Sequence, residues 1–180
     1  MKRYNVILDL DETLVSAKTP EELENIGFNE EGFNFYNMDK DYIVFERPNL
    51  QSFLDWLFTN YNVLIWSAGS KEYVLYIIDK IILLDKKREL KLILFSDHCN
   101  MIPSETKPKN LDYLLFSNPS LKNISHENTV IIDDLDKVYD IQPENCIPIK
   151  PFNVFDHNSL NDIELYTVAN QINEYFSSNK

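Results

Sequence analysis

Short runs of apolar residues recur along the chain, and each run is bounded by polar or turn-forming residues. Runs of this kind are typical of strands that are buried on both faces of a parallel sheet. Four of them cover residues 5–8, 63–66, 91–95 and 129–132, and a fifth covers residues 146–149. The fifth run contains Pro148, which cannot donate a hydrogen bond to a neighbouring strand. We therefore expect this strand at a sheet edge, or the proline at the end of the strand.

Apolar residues with a helical spacing occupy the segments between these runs. The pattern predicts helices over residues 48–60, 70–84, 110–116 and 160–176. Pro48 stands where the first turn of a helix accepts a proline. The expected apolar face of the last helix consists of Leu160, Ile163, Val168, Ile172 and Phe176. The alternation of strands and helices predicts an α/β fold with a layered, mainly parallel sheet.

Residues 15–46 interrupt this alternation. After an acidic stretch, Phe33, Phe35, Tyr42 and Val44 flank a polar centre, a pattern that predicts a β-hairpin near the end of the first strand. The chain shows no internal repeat and no convincing domain boundary. We therefore predict a single domain over residues 1–180, with a hairpin flap at about 15–46 and a small insertion at about 85–105.

The composition is that of a folded, soluble domain. A chain of 180 residues can bury one substantial core. Its hydrophobic content of 44% and charged content of 26% are ordinary, and only 3 glycines argue against low complexity. The best candidate for a membrane span is interrupted by Asp79 and Lys80, so no span is predicted.

Charge and cysteine content narrow the class of function. The formal net charge of −12 disfavours general binding to nucleic acids or anionic membranes, because phosphates are bound chiefly by clustered lysine and arginine. Cys99 and Cys146 are far apart and lack CxxC spacing, which favours neither a disulfide framework nor a zinc site. We expect an intracellular, soluble protein.

Two aspartates directly follow the first predicted strand. Asp9 and Asp11 are two residues apart, so on an extended chain their side chains share a face, roughly 7 Å apart. They also stand beyond the carboxyl end of the strand, where open α/β sheets bind their ligands. Two close carboxylates favour a cation between them. Taken alone, such a pair is more often a solvated acidic turn.

Three more polar elements fall near the ends of other predicted strands. Ser67 follows the second run, Asp133 and Asp134 follow the fourth, and either Lys107 or Lys109 precedes a helix. Each has an ordinary alternative, since the acids suit a turn, the serine a helix cap and the lysine a surface charge. Their coincidence with the aspartate pair favours one shared site.

These four elements resemble, in the same order, the motifs of the haloacid dehalogenase superfamily: a strand-ending Asp-x-Asp-x-Thr, a hydroxyl residue, a lysine and one or two acids. More narrowly, LDLDETLV at residues 8–15, Arg47-Pro48 followed by Phe53-Leu54, and PENCIPI at residues 143–149 are similar to the small phosphatases of the RNA polymerase II C-terminal domain. The similarity covers nearly the whole chain. It implies a Rossmann-like three-layer sandwich with a small flap and no large cap domain.

The resemblance implies a magnesium-dependent phosphatase that divides its chemistry between two carboxylates. Asp9 would be the nucleophile that forms an aspartyl-phosphate, and Asp11 would act as general acid and then as general base. Thr13 would orient the loop around them. Mg²⁺ prefers oxygen ligands, and these would be Asp9, Asp133, Asp134 and the backbone carbonyl of Asp11.

The resemblance also implies a set of substrate-binding residues: Ser67, Ala68, Tyr73, Lys109 and Arg47. Ser67 and the lysine would hold the phosphoryl oxygens. Lys109 is preferred to Lys107 because the resembled family places its lysine just before a helical leucine, which Asn110-Leu111 matches. Tyr73 matches an aromatic residue that helps to grip a proline beside the phosphoserine.

The chain departs from the resembled phosphatases at the flap. Lys18, Thr19 and Pro20 occupy the region where the family carries a second aromatic residue. Ser96-Asp97-His98 and Leu135-Asp136 replace two further family segments. These departures concern the choice of substrate more than the chemistry.

Three functions follow from the resemblance. The first is a phosphatase of phosphoserine or phosphothreonine proteins, with a polymerase tail as one such substrate, because a site without a large cap is open to a polymer. The second is a phosphatase of small molecules or of nucleic-acid ends. The third is a catalytically idle scaffold, against which the intact motifs argue.

Overall fold

The structure, a computed structural model, describes residues 4–39, 41–100 and 109–178. Its strands are β1 Asn5–Leu8, β2 Val15–Lys18, β3 Phe35–Met38, β4 Tyr42–Glu46, β5 Asn62–Trp66, β6 Leu90–Leu94, β7 Thr129–Asp133 and β8 Cys146–Pro148. Its helices are α1 Pro20–Ile26, α2 Leu50–Asn60, α3 Lys71–Ile77, α4 Ser96–Asn100, α5 Leu111–Ser117, α6 Asp136–Ile141 and α7 Glu164–Ser178. A π-helical segment, Ile78–Ile82, continues α3.

Five of the strands form the central sheet in the order β6-β5-β1-β7-β8, and every neighbouring pair is parallel. The strand β1 lies in the middle, with Leu8 opposite Ile65 of β5 on one side and Ile132 of β7 on the other. The five predicted strands and the mainly parallel sheet are therefore confirmed. Pro148 ends β8 at the sheet edge, where its missing N–H costs no ladder hydrogen bond.

Hydrophobic side chains fill both faces of the sheet. Because successive side chains of a strand point to opposite faces, Val6 and Leu8 belong to the core under α2, α3 and α7, whereas Ile7 belongs to the core under α5 and α6. The molecule thus has three layers, helices on either side of one sheet. This arrangement confirms the predicted three-layer α/β fold.

A second, antiparallel sheet has the strand order β2-β4-β3 and forms the flap. The hairpin of β3 and β4 was predicted, but the third strand of this sheet, β2, was missed because its four residues include only one strong strand former, Val15. The short helix α1 was also missed. It begins with a capping box, in which Thr19 accepts from the Glu22 N–H and the Glu22 carboxylate accepts from the Thr19 N–H.

Two predicted helix boundaries are wrong. The helix α2 begins at Leu50, because the preceding Asn49 has a φ of 67° and acts as the N-cap residue in a left-handed conformation. The helix α7 begins at Glu164, and Leu160 and Ile163 lie before it with exposed fractions of 47% and 64%. Leu160 and Ile163 therefore do not belong to the buried face of that helix.

The insertion predicted at residues 85–105 is described only in part. Residues 85–100 contain β6 and α4, and residues 101–105 lie outside the described residues. No helix in the described part of the chain is long and apolar enough to cross a bilayer.

Asn145 joins the starts of β7 and β8 through a buried amide. Its Nδ2 donates to the carbonyls of His126 and Thr129 at 2.7 and 2.8 Å, and its Oδ1 lies 2.9 Å from His126 Nδ1. Removing the amide would take the 2.8 Å donor from the buried Thr129 carbonyl and leave it only the longer contact of 3.5 Å with the Tyr175 hydroxyl.

We expect Asn145→Ala to lower the free energy of unfolding by roughly 1–3 kcal/mol, since a buried acceptor that loses its donor costs about that much. Urea denaturation measures the effect. Asn118→Ala is the matched control, because Asn118 is exposed and its side chain donates to the Leu114 carbonyl in its own helix turn. Equal destabilisation by the two variants would contradict the assigned role.

Candidate active site

Three polar residues stand where the central strands end. Asp9 directly follows β1, Asp133 is the last residue of the adjacent β7, and Ser67 directly follows β5 on the other side. The Asp9 N–H donates to the Ile132 carbonyl at 3.0 Å, which continues the ladder and fixes where the Asp9 side chain leaves the sheet. Parallel neighbours end at the same edge, so the residues predicted from separate motifs are brought together.

Lys109 lies between the two aspartates. Its Nζ is 2.5 Å from Asp9 Oδ1 and 2.6 Å from Asp133 Oδ2, and the lysine is 3% exposed. Its backbone carbonyl accepts from Gln142 Nε2 at 2.6 Å, and the next residue, Asn110, caps α5. The two aspartates therefore hold the side chain of Lys109, and Gln142 holds its backbone. Lys107, the alternative lysine, lies outside the described residues.

Three carboxylates form a cluster with the chemistry of a cation site. Oxygens of Asp9, Asp133 and Asp134 all lie within 4.8 Å of one another. Two of the three are oriented by other groups, since Leu135 N–H donates to Asp133 at 3.0 Å and the Thr13 hydroxyl donates to Asp134 at 3.2 Å. An all-oxygen set suits a hard divalent ion such as Mg²⁺.

The electrostatics of the cluster also favour a cation. Burial raises the pKa of Asp9 to about 8, and the charge of Asp133 acts in the same direction while Lys109 opposes it. Burial likewise raises the pKa of Asp134. For Lys109, burial lowers the pKa but the two aspartates raise it by more, so the ammonium stays charged. The single ammonium of Lys109 therefore does not balance the negative charge of the three carboxylates.

The chain makes a tight turn immediately after the aspartates. Glu12 has a φ of 58°, an uncommon conformation for a residue with a side chain. The turn is held by the N–H groups of Leu14 and Val15, which both donate to the Leu10 carbonyl at 2.8 and 3.0 Å. Phe152 N–H donates to the Glu12 carbonyl at 2.6 Å and ties the turn to the segment after β8.

Arg47 supports this turn from inside the protein. Its guanidinium donates to the Thr13 carbonyl at 3.0 Å, to the Lys150 carbonyl at 2.8 Å and to both carboxylate oxygens of Asp162 at 2.8–2.9 Å. Arg47 is 0% exposed. The prediction that Arg47 binds substrate does not fit this burial, because every one of these bonds is internal. Thr13 donates its hydroxyl to Asp134, and its orienting role stays a prediction.

Asp11 forms a hydrogen bond with Tyr73. The tyrosine hydroxyl donates to Asp11 Oδ1, while burial raises the pKa of Asp11 and this hydrogen bond lowers it. Gly69 leaves room for the tyrosine ring, since a Cβ at that position would lie 2.7 Å from a ring carbon. Tyr73 also meets Tyr42 of the flap edge-on, with ring centroids 5.7 Å apart. Tyr73 therefore contacts both a carboxylate of the site and the flap, an arrangement that its sequence position did not reveal.

A pocket of about 240 Å³ opens above the aspartates. It is lined by Asp9, Asp11, Glu12, Ser16, Ala17, Lys18, Ala68, Lys109, Asp134 and Leu135. Ala68, which was predicted to bind substrate, is one of the residues that line this pocket. Ser67 is fully buried beneath it, and its Oγ accepts from the Gly69 N–H at 2.9 Å, which leaves its hydroxyl hydrogen able to donate.

The chain is similar to known proteins over most of its length. The chain matches the model of the NLI interacting factor-like phosphatase family over residues 4–179. It is 39% identical over 181 residues to the "Putative CTD phosphatase-like protein 355R" of Invertebrate iridescent virus 6, covering 96% of this chain and 99% of that protein.

Two solved structures share the fold. One is a variant of the fission yeast RNA polymerase II CTD phosphatase Fcp1 bound to beryllium fluoride, with a TM-score of 0.60, 22% identity, and coverage of 99% of this chain and 52% of that one. The present chain thus spans about half of that chain. The other is an enzyme of the HAD family from Bacteroides thetaiotaomicron in complex with magnesium and inorganic phosphate. Its TM-score is 0.53 at 14% identity, and the match covers 86% of this chain and 97% of that one.

The chain belongs to the NLI interacting factor-like phosphatase family. The resemblance to CTD phosphatases is confirmed, and so is the prediction of a phosphoric monoester hydrolase. The solved structures show that the chain shares its fold with an enzyme of the HAD family.

We expect Mg²⁺ to raise the Tm, because an ion bound only by the folded cluster stabilises the fold. At about 100 times the dissociation constant this contributes about 2.7 kcal/mol, or roughly 5–10 °C for a chain of this size. The shift should be larger at pH 8.5 than at pH 6. The pKa of Asp9 is raised to about 8 by folding, so its proton stabilises the metal-free fold at low pH and competes with the ion.

Thermal unfolding with and without Mg²⁺ at the two pH values measures both effects. Asp133→Asn should abolish the Mg²⁺ shift, whereas the control Asp79→Asn should keep it, because Asp79 is 73% exposed and pairs with its neighbour Lys80. A Tm that does not respond to Mg²⁺ at either pH would refute the metal assignment.

Proposed function

We propose that this protein is a Mg²⁺-dependent phosphatase that forms an aspartyl-phosphate on Asp9 and acts on phosphoserine or phosphothreonine in proteins. The observation that carries the proposal is the position of Asp9. Its carboxylate lines the pocket, is held by Lys109 at 2.5 Å, and shares a cation cluster with Asp133 and Asp134.

In the first step, a carboxylate oxygen of Asp9 attacks phosphorus and the bond from phosphorus to the substrate oxygen breaks. Asp11 lines the same pocket and gives its proton to the leaving oxygen. A general acid must hold a proton near neutral pH, and the burial that raises the pKa of Asp11 favours that state. The product is an alcohol or a serine side chain, with the phosphoryl group on Asp9.

In the second step, water attacks phosphorus and Asp11 now accepts the proton of that water. The bond between phosphorus and the Asp9 oxygen breaks, which releases inorganic phosphate and restores the nucleophile. Lys109, and Ser67 with its hydroxyl hydrogen, would donate to the phosphoryl oxygens through both steps. The same two carboxylates thus serve both halves of the reaction.

The residues present fit Mg²⁺, which Asp9, Asp133, Asp134 and the backbone carbonyl of Asp11 would hold. When bound, the ion would supply positive charge that offsets repulsion between the anionic nucleophile and the anionic phosphate. Arg47 and Thr13 would contribute by orienting the turn and Asp134.

A protein substrate is favoured by the flap and by the relatives. The pocket lies between the central sheet and a small three-stranded flap, so its mouth can admit a side chain carried on a polymer. The viral relative is described as CTD phosphatase-like and the fission yeast protein as an RNA polymerase II CTD phosphatase. We infer a phosphoprotein substrate by analogy with both.

We expect Asp9→Asn to abolish turnover of p-nitrophenyl phosphate in Mg²⁺, by more than about 1000-fold, because an amide is a poor nucleophile and cannot form the phosphoenzyme. Steady-state rates with and without Mg²⁺ measure this loss. The exposed Asp79→Asn carries the same charge change and should keep full activity. Undiminished turnover by Asp9→Asn would exclude Asp9 as the nucleophile.

We expect Tyr73→Phe to move the alkaline limb of kcat/KM to higher pH. The Tyr73 hydroxyl donates to Asp11 and lowers its pKa, so removing the hydroxyl raises that pKa and keeps the general acid protonated further into alkaline pH. The pH profile of kcat/KM measures the displacement. A limb that stays in place, or moves to lower pH, would show that Asp11 is not the acid tuned by Tyr73.

A further inference from the structure

Lys18 lies on the wall of the active-site pocket, at the end of β2. Its side chain lines the same pocket as Asp9 and Asp11. The ammonium stands 4.9 Å from the centre of the Phe155 ring, within the range of a cation–π contact. The lysine is therefore held at the mouth of the site, unlike a free surface lysine.

The support beneath Lys18 is itself ordered. The Phe155 ring packs edge-on against Phe28, with centroids 5.3 Å apart, within the apolar cluster under the flap. The neighbouring Val154 N–H donates to the Ser16 hydroxyl of β2 at 3.2 Å, which ties this segment to the strand that carries the lysine. The Lys18 ammonium and the Phe155 ring are thus held next to each other by the packing of the flap.

The charge of Lys18 is not neutralised by a partner. Within residues 4–39, 41–100 and 109–178, Lys18 forms no ion pair. The hydrogen bonds that the Glu22 carboxylate accepts from the N–H and the hydroxyl of Thr19 lower the pKa of Glu22, and the charge of Lys18 contributes less to this lowering. The second cation on the pocket wall, Lys109, is held by two aspartates.

We propose that Lys18 binds an acidic side chain next to the phosphorylated residue, so that the preferred substrates are phosphopeptides with glutamate or aspartate beside the phosphoserine. This inference rests on the proposed function. The phosphoryl group would enter toward Asp9 and Lys109, and the cation at the mouth would meet what lies beside it on the substrate. A cation at this position, with no ion-pair partner among the described residues, favours an anion over a neutral proline.

The other macromolecular source of neighbouring anions, a nucleic-acid end, is disfavoured by the charge of the molecule. The formal net charge is −12, and the pocket wall includes Glu12 and three aspartates. A polyanion would meet repulsion over many phosphates, whereas one glutamate needs only the single local cation.

The test compares kcat/KM for three phosphoserine peptides that differ only in the residues flanking the phosphoserine: glutamate, glutamine or proline. For the unaltered protein we expect about a 5-fold preference for the glutamate peptide over the glutamine peptide, the size of one partly exposed charge pair. Lys18→Met should reduce the preference to about 1-fold, and Lys18→Arg should retain it. Higher salt should weaken the preference, because the pair is solvent-accessible.

Lys91→Met is the matched control. It removes the same charge from a half-exposed lysine near the start of β6, at the opposite end of the sheet from the site, and should leave the peptide preference unchanged. A preference that survives in Lys18→Met, or a proline peptide that outperforms the glutamate peptide, would overturn the proposal. So would Lys18-dependent hydrolysis of a 5′-phosphorylated oligonucleotide in preference to all three peptides.

Failure of this inference is distinguishable from failure of the proposed function. Hydrolysis of all three peptides at equal rates would overturn the role of Lys18 but would still support a phosphatase that acts on phosphoproteins. Turnover of p-nitrophenyl phosphate without any peptide hydrolysis would overturn both this role and the protein substrate. Absence of Asp9-dependent turnover on every substrate would overturn the proposed chemistry itself.

Discussion

Charge balance at the carboxyl ends of β1 and β7 is the constraint on which the site depends. Asp9, Asp133 and Asp134 bring three carboxylates together, and Lys109 supplies one ammonium between two of them. With all four ionised, the cluster carries an excess of two negative charges, which one divalent ion would cancel. Burial makes that excess costly, and the raised pKa of Asp9 expresses the cost. The composition of the site therefore favours a divalent rather than a monovalent ion.

Further contacts position the segments that carry this cluster without bonding to the carboxylates of Asp9, Asp133 or Asp134. Arg47 is fully buried and joins the turn after β1 to Asp162, far along the chain. Gln142 holds the backbone of Lys109, and Tyr73 holds Asp11 from the opposite wall. Each of these bonds satisfies a buried polar group as well as fixing a geometry, so stability and positioning share the same contacts.

The sequence predicted the parts of the molecule that local patterns control. The strands of the central sheet are apolar runs, and Asp9 and Asp133 stand at their ends, so their convergence followed from the geometry of parallel sheets. The roles of Arg47 and Tyr73 could not be predicted in this way, because their partners Asp162 and Asp11 are 115 and 62 residues distant in sequence. Short elements were missed for another reason. Helices α4 and α6 have five and six residues, too few to show a helical period, and the seven residues of α1 include only two large apolar ones, Leu23 and Ile26.

One continuous segment, residues 9–18, supplies both the proposed nucleophile and the cation at the pocket mouth. Asp9 is fixed by the parallel ladder of the central sheet, whereas Lys18 is fixed by the antiparallel ladder of the flap, where it pairs with Ile43. The turn at Glu12 separates the two ladders, so a change at Lys18 need not displace Asp9. Chemistry and substrate choice can therefore vary independently although they share ten residues of chain. This division would allow the flap to differ from the resembled phosphatases while the motif after the first strand is kept.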